Sequence, residues 1–306
     1  MSYPYGSLEV ASDVVTMADT ATIMRVDGGW RLTSMTEPAH YLRNLLVLDG
    51  DPSMRAPEEV RSAFTQAFAG IPEPMHESLC WTGSPDVHME VPSAYIEQDF
   101  YALRFATLRW SDDRDLRVSE RSVRHPFVLR TIPADDDDGW REILDVYVAV
   151  NNVGVDTPDE ISVDLIIDSL RESITEPLRR LVKQHRAQMW CVVADGKVVA
   201  VAPLVIGHSL ARFQAIATHP HWQGRGLCSA LIRAVVADIS GNPAVHDIVL
   251  VSEQGTAAER LYRSLGFAVV ERSLHLVHGG ATEYWRMQNR GQDPYTEELA
   301  TDNLLR

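Results

Sequence analysis

The second half of the chain alternates between strand and helix patterns of hydrophobic and polar positions. Short apolar runs predict strands, and apolar positions that recur every three or four residues predict helices. The predicted order is β-α-α-β-β-β-α-β-α-β, and the segments are residues 127–132, 140–150, 157–185, 189–194, 197–206, 212–218, 227–239, 247–252, 256–265 and 267–276. A hairpin followed by strand–helix–strand crossovers implies an α/β fold with a mixed (α+β) sheet covered by helices.

The first half shows a weaker pattern of the same kind. Residues 29–33 and 45–48 are predicted strands, and residues 56–69 form a predicted helix that opens at Pro57. A second helix and a last strand are predicted over residues 93–101 and 104–110.

A densely charged segment, residues 111–124, contains few large apolar side chains and is typical of a linker. The sequence therefore predicts a first domain over residues 1–120 and a second over residues 121–288. Residues 289–306 are predicted to form a flexible polar tail.

Composition narrows the function. A length of 306 residues favours about two domains, and 45% hydrophobic residues suffice for a packed core in each. The formal net charge of −15 argues against a nucleic-acid partner and against an anionic membrane surface. An acidic surface suits a cationic small molecule, although an acidic composition also simply improves solubility.

The cysteines and the N-terminus indicate a cytoplasmic, soluble protein. Cys80, Cys191 and Cys228 are far apart, and no pair has the spacing of metal ligands. The first ten residues do not resemble a signal peptide, and no apolar run approaches the roughly 20 residues of a membrane span. The four consecutive aspartates at residues 135–138 cannot all face one ion, so we expect no metal.

The stretch from residue 219 to residue 231 carries the most informative chemistry. A predicted strand leads into Gly224 and Gly226, and a predicted helix leads out. Glycines let the backbone approach a ligand, and the N–H groups of a first helical turn attract an anion such as a pyrophosphate. Arg225 adds charge at the rim. Neither the dinucleotide fingerprint nor the Walker pattern fits this stretch. Two glycines at this spacing are also typical of a tight strand-to-helix connection that binds no ligand.

A second element follows at residues 257–267. Together, the two elements resemble the GCN5-related N-acetyltransferase (GNAT) superfamily. Residues 223–228, Gln-Gly-Arg-Gly-Leu-Cys, match its Q/R-x-x-G-x-G/A motif, with Cys228 in the last small position. The matches to its A-x-x-L-Y-x-x-x-G-F element are Ala258, Leu261, Tyr262, Gly266 and Phe267. The resemblance covers roughly residues 127–276.

The resemblance implies a bound acetyl-CoA that serves as the acyl donor. Its pyrophosphate would lie on the backbone N–H groups of the turn, and its pantetheine arm would pair with the preceding strand. One N–H group of that strand, residues 215–218, would polarise the thioester carbonyl. The implied cofactor-binding residues are Ile216, Ala217, Thr218, Gln223, Gly224, Arg225, Gly226, Leu227, Cys228, Ser229 and Ala258. Tyr262 would protonate the departing thiolate, although a tyrosine on an amphipathic helix also fits a purely structural role.

The general base is the least certain part of this scheme. Many family members place a carboxylate on the strand that here spans residues 210–218, and this strand has none. Glu253, at the end of the next strand, is the assigned candidate. His219, His208 and a chain of water molecules remain alternatives.

The first half lacks the glycine-rich turn, since residues 49–57 contain two prolines and one glycine. It is interpreted as a degenerate GNAT-like unit, which gives a tandem GNAT layout. The predicted function is acetyl transfer from acetyl-CoA to the amine of a small molecule. The alternatives are a catalytically silent acyl-CoA sensor or scaffold, and a GNAT-fold enzyme with other acyl-CoA chemistry. The oligomeric state stays open, a homodimer included.

Overall fold

The computed structural model describes residues 3–17, 21–35, 37, 40–71, 76–111, 125–151 and 163–279. The chain divides into two compact units. Unit 1 contains Met1–Ala18 and Ala106–Glu271, and unit 2 contains Asp19–Phe105 and Arg272–Arg306. This division differs from the predicted one, because the N-terminal residues pack with unit 1 and both boundaries after residue 100 fall inside strands. The predicted linker and tail lie almost entirely outside the described residues.

The strands are β1 (Ala21–Val26), β2 (Gly29–Ser34), β3 (Leu45–Leu48), β4 (His76–Gly83), β5 (Tyr101–Trp110), β6 (Val128–Thr131), β7 (Ala187–Ala194), β8 (Lys197–Ile206), β9 (Leu210–Phe213), β10 (Ala217–Thr218), β11 (Asp247–Glu253) and β12 (Phe267–Gly279). The helices are α1 (Leu8–Thr16), α2 (Pro57–Ala67), α3 (Ser93–Ile96), α4 (Asp137–Val150), α5 (Val163–Leu170), α6 (Glu176–Lys183), α7 (Leu227–Ile239) and α8 (Ala257–Leu265). A π-helical turn, Arg171–Thr175, joins α5 to α6.

Unit 1 is built on a mixed sheet with the strand order β11-β9-β8-β7-β6. Neighbouring strands are antiparallel, except that β9 and β11 are parallel, and β10 pairs with β8 alone. Helices α7 and α8 pack on one face of the sheet. Helices α4 and α6 pack on the other face, where Val15 of α1 joins the same apolar cluster. Two apolar cores therefore sandwich the strands that lead to the glycine-rich turn.

A buried carboxylate anchors the N-terminal helix within unit 1. The Glu271 carboxylate accepts hydrogen bonds from the Ser7 hydroxyl (2.6 Å), the Leu8 backbone N–H (3.0 Å) and the Glu9 backbone N–H (3.1 Å). Burial raises the pKa of Glu271 above its ordinary value, and these three donors oppose that shift in part. The sequence pattern did not predict α1 or this contact.

The strands of unit 2 include β1 to β4 and the C-terminal part of β12. Strands β1, β2 and β3 are antiparallel neighbours, β3 and β4 are parallel, and the C-terminal part of β12 lies antiparallel to β4. Helices α2 and α3 contribute to its core through Val60, Phe64 and Tyr95. The parallel pair β3 and β4, joined through α2, repeats the arrangement of β9 and β11 joined through α7.

Most predicted elements are confirmed, and two are wrong in an informative way. The predicted strand over residues 212–218 is interrupted, because Ala215 has a left-handed φ of 46°. The predicted helix over residues 93–101 is only one turn long, and Asp99 follows it with a left-handed φ of 62°. The Asp195-Gly196 turn has positive φ at both residues, as a type I′ hairpin requires. None of the helices in the described ranges is long and apolar enough to cross a membrane.

Candidate active site

The interruption between β9 and β10 opens a cleft in the sheet of unit 1. Strand β11 runs to Glu253, whereas its pairing with β9 ends at the register pair Val249–Arg212. After Phe213 the chain bends away through residues 214–216 and pairs again only with β8. The last residues of β11 therefore face an opening, and the backbone of β10 offers its free edge to an extended ligand.

The glycine-rich turn lies directly after β10 and begins α7. Gly224 has a φ of 71°, and Gly226 has a φ of 80° as the N-cap residue. No side chain caps this helix, and its first turn contains no acidic residue. The first intrahelical bond runs from the Ala230 N–H to the Gly226 carbonyl at 3.0 Å. The N–H groups of Leu227, Cys228 and Ser229 thus precede the helical hydrogen-bond ladder and suit an anion.

Side chains around the turn hold its shape. The Gln223 amide donates to the Thr218 carbonyl at 3.1 Å and ties the turn to β10. The Arg225 guanidinium donates to the His221 carbonyl at 3.0 Å and lies 4.6 Å from the ring centre of Trp222. These contacts keep a positive charge beside the helix N-terminus, where the helix dipole also favours an anion.

Tyr262 of α8 lies behind the turn and close to Cys228. Its side chain is 8% exposed. Burial raises the pKa of Tyr262 above its ordinary value, and the Cys228 thiol contributes in the same direction. Burial also raises the pKa of Cys228 to about 11, although a hydrogen bond with Thr218 acts to lower it. Both groups are therefore neutral near pH 7, and Tyr262 keeps a proton that it can donate.

Glu253 lies at the carboxyl end of β11 and is exposed. Side chains alternate along a strand, so Glu253 lies on the same face as Val249. Val249 packs against Leu8 of α1, and so Glu253 and Tyr262 lie on opposite faces of the sheet, on either side of the cleft. Helix α8 is anchored at the same place, because the Thr256 hydroxyl donates to the Glu253 carbonyl at 2.8 Å.

The two histidine candidates, His208 and His219, fit the role of base less well than Glu253. His208 lies in the turn between β8 and β9, at the end of β9 that is far from the glycine-rich turn. The Nδ1 atom of His219 accepts the His221 backbone N–H at 3.2 Å, which commits its lone pair to the turn. The geometry therefore favours Glu253 among the three candidates.

The structure brings most of the sequence-predicted site residues to one edge of unit 1. Ile216 lies in the interruption, Ala217 and Thr218 form β10, and residues 223–229 form the turn and the start of α7. Leu227 is 1% exposed, so only its backbone can reach a ligand. Ala258 is partly buried against the core beside α7. The sequence pattern did not point to Ala215 or to Tyr147, whose hydroxyl donates to the Ala215 carbonyl at 2.8 Å, because a single sequence gives no signal for a strained alanine or for its distant partner.

Sequence comparison identifies the domain to which this site belongs. Residues 185–269 match the family described as an acetyltransferase (GNAT) domain. The chain carries a GNAT domain. The match spans β7 to β12 and includes the cleft, the glycine-rich turn and Tyr262, so the chain is an acyltransferase. None of the curated protein sequences matches this chain.

Solved structures extend the similarity beyond the GNAT domain. A functionally unknown conserved protein from Staphylococcus epidermidis has a TM-score of 0.59 at 12% identity, over 85% of this chain and 94% of that one. A GCN5-related N-acetyltransferase from Kribbella flavida has a TM-score of 0.52 at 13% identity, over 89% and 95% of the two chains.

A tandem GNAT protein from the clavulanic acid biosynthesis pathway has a TM-score of 0.50 at 12% identity. The similarity covers 91% of this chain and 89% of that one. These identities establish the fold alone. The predicted fold class, a mixed α/β GNAT fold in a tandem layout, is confirmed.

Proposed function

We propose that this chain transfers an acetyl group from acetyl-CoA to the amine of a small molecule. The observation that carries the proposal is the uncapped N-terminus of α7, which follows two left-handed glycines beside a cleft in the sheet. A pyrophosphate on these N–H groups would place the pantetheine arm along the free edge of β10, where the backbone of Thr218 faces away from β8.

The two candidate catalytic groups suit the proton inventory of this reaction. An attacking amine must lose a proton, and a departing thiolate must gain one. Glu253 lies on the face of the sheet covered by α1 and α4, where the amine would approach. Tyr262 lies on the other face with a raised pKa, so it remains a proton donor through neutral and moderately basic pH.

The acceptor is proposed to be cationic in solution. The chain carries a formal net charge of −15, and Glu253 adds a carboxylate at the edge of the cleft. Amino sugars, amino acids and amine-containing antibiotics belong to this class. A silent acyl-CoA sensor is the second candidate, since residues 210–218 contain no carboxylate.

One assay separates the two candidates. The purified full chain is incubated with acetyl-CoA and a panel of such amines, and free thiol is followed over time, with thermal unfolding measured in parallel. We expect acetyl-CoA to raise the melting temperature and at least one amine to release thiol. Binding without turnover on any amine supports the sensor, and the absence of both a thermal shift and turnover rejects the CoA site.

A further inference from the structure

The backbone at Ala215 is strained at the point where the cleft opens. Its φ is 46°, a left-handed value that residues with a Cβ rarely adopt. Such a conformation costs on the order of 1–3 kcal/mol and persists only where its surroundings hold it. On either side, the Gln214 N–H donates to the Pro203 carbonyl at 3.0 Å and Ala217 pairs with Val201.

A buried tyrosine of α4 holds the strained residue itself. The Tyr147 hydroxyl donates to the Ala215 carbonyl at 2.8 Å. Tyr147 is 3% exposed and packs in the apolar cluster that contains Ile143, Val146 and Ala217. The hydroxyl is thus fixed by a rigid ring, and the carbonyl of Ala215 is fixed with it.

The direction of this carbonyl also sets the direction of the next N–H group. The described peptide bonds are all trans, and in a trans peptide the N–H points roughly opposite to the C=O. The Ile216 N–H therefore points away from Tyr147. Within the described ranges it belongs to no strand pairing or turn hydrogen bond, so it stays available to a ligand in the cleft.

The family resemblance already implies that an N–H group of this strand polarises the thioester carbonyl. We propose that Tyr147 is a positioning residue for that step, which holds the Ala215 carbonyl so that the Ile216 N–H is the donating group. The inference rests on the proposed function, because it assigns a role within the same cleft. A donor aimed at the developing oxyanion accelerates acyl transfer, and a small displacement of that donor weakens its effect.

The test uses Tyr147→Phe in the full chain, with Tyr95→Phe as the matched control. Tyr95 is also buried and its hydroxyl also donates to a backbone carbonyl, that of Arg55, but it belongs to unit 2. We expect Tyr147→Phe to lower kcat about tenfold or more and to leave the Kd for CoA within about twofold. In this variant acetyl-CoA should lose any advantage in affinity over CoA, because only acetyl-CoA has the thioester carbonyl that the Ile216 N–H would contact.

Ala215→Gly supplies a second background, since glycine adopts a positive φ without strain. In this background the loss caused by Tyr147→Phe should be smaller than in the original chain. If Tyr147→Phe alone does not fold, the test compares Ala215→Gly with the double variant Ala215→Gly/Tyr147→Phe. Unchanged kcat in Tyr147→Phe overturns the inference, and so does an equal loss of affinity for CoA and acetyl-CoA. An original chain that binds neither ligand overturns the proposed function first and the inference with it.

Discussion

At the scale of single residues, Cys228 shows how the site tolerates a departure from the family motif. The motif has Gly or Ala at this position, and the thiol here fits between Thr218 and Tyr262. Because its pKa is raised to about 11, the thiol stays neutral near pH 7 and places no negative charge beside Tyr262. The substitution therefore preserves the proton donor that the proposed reaction needs.

Tyr262→Phe tests the proton donor directly. Burial raises the pKa of Tyr262 above its ordinary value of 10.0, so the protonated form persists to at least that pH. We expect the variant to lose about 10²-fold or more in kcat at neutral pH, with little change in the Kd for CoA. Steady-state kinetics and equilibrium binding measure the two quantities. A variant that keeps full kcat from pH 6 to pH 9 rules out Tyr262 as the acid.

Glu253→Gln tests the proposed base. The amide cannot accept a proton, so kcat should fall by about 10²-fold when the amine is varied at saturating acetyl-CoA. Asp238→Asn is the control, because Asp238 is an exposed carboxylate near the far end of α7. Equal kcat in both variants would leave a water molecule or another group as the base.

At the scale of elements, the start of α7 depends on backbone geometry rather than on side chains. Gly226 is left-handed at the N-cap, no side chain caps the helix, and no carboxylate lies in the first turn. In unit 2 the corresponding helix α2 has Ala56 as its N-cap, Pro57 in its first turn and two glutamates behind it. Proline lacks an N–H group and glutamates repel phosphate, so two helices of similar topology have opposite anion preferences.

Gly226→Ala should weaken CoA binding, and Gly196→Ala is its matched control. Both glycines have a positive φ, 80° and 76°, so alanine is strained at each by about 1–2 kcal/mol. Only Gly226 lies at the anion site, since Gly196 forms the hairpin turn between β7 and β8. We expect the Kd for CoA to rise about tenfold or more in Gly226→Ala alone, as measured by calorimetry. Similar losses in both variants would indicate a general effect of stability.

At the scale of the whole molecule, the chain combines a GNAT domain, matched over residues 185–269, with a second unit of related topology. The tandem protein of similar fold aligns over 91% of this chain, so the second unit belongs to the same architecture. Glu58, which follows Pro57 in α2, contacts Gln98, and this contact lies at the place that corresponds to the anion site in unit 1. These features favour a division of labour in which unit 2 does not hold the cofactor.

The stoichiometry of CoA binding tests this division. We expect about one CoA per chain in a calorimetric titration, because among the helices in the described ranges only α7 has an uncapped, acid-free N-terminus after left-handed glycines. In Gly226→Ala the single site should weaken without revealing a second. Two sites of similar affinity would show that unit 2 binds CoA despite its acidic first turn.

Two histidines of unit 2 with a lowered pKa, His40 and His76, predict a loss of stability in acid. Burial lowers the pKa of His76 to about 4 and that of His40 to about 3, both below the ordinary 6.5. Between the lowered pKa values and pH 6.5, the unfolded chain binds more protons than the folded chain. The stabilising contribution is therefore full above about pH 6.5 and is lost as the pH drops towards 4.

His76→Leu should reduce this pH dependence. Urea unfolding at pH 7, 6 and 5 is expected to show a smaller decline in the variant, by about 1–3 kcal/mol over the range. His208→Leu is the control, because His208 is exposed in a turn of unit 1. Identical slopes in His76→Leu and the original chain would contradict the assignment.

Some features of this protein followed from the sequence by itself. The period of apolar positions predicted β7, β8, α7, β11 and α8, and Gly224 and Gly226 predicted the turn, because only glycine adopts positive φ without strain. These features depend on contacts or dihedral angles of residues near in sequence. Two local motifs about thirty residues apart were then enough to predict the GNAT fold.

Other features were decided only by the tertiary structure. Helix α1 belongs to unit 1 because Glu271, distant in sequence, accepts its first N–H groups, and no local pattern encodes that contact. The left-handed Ala215 breaks a stretch that is apolar enough for a continuous strand, and it is held by Tyr147 from another element. At these positions, hydrogen bonds to residues distant in sequence outweigh the local preference for a strand or a loop. The cleft forms at one of them, Ala215.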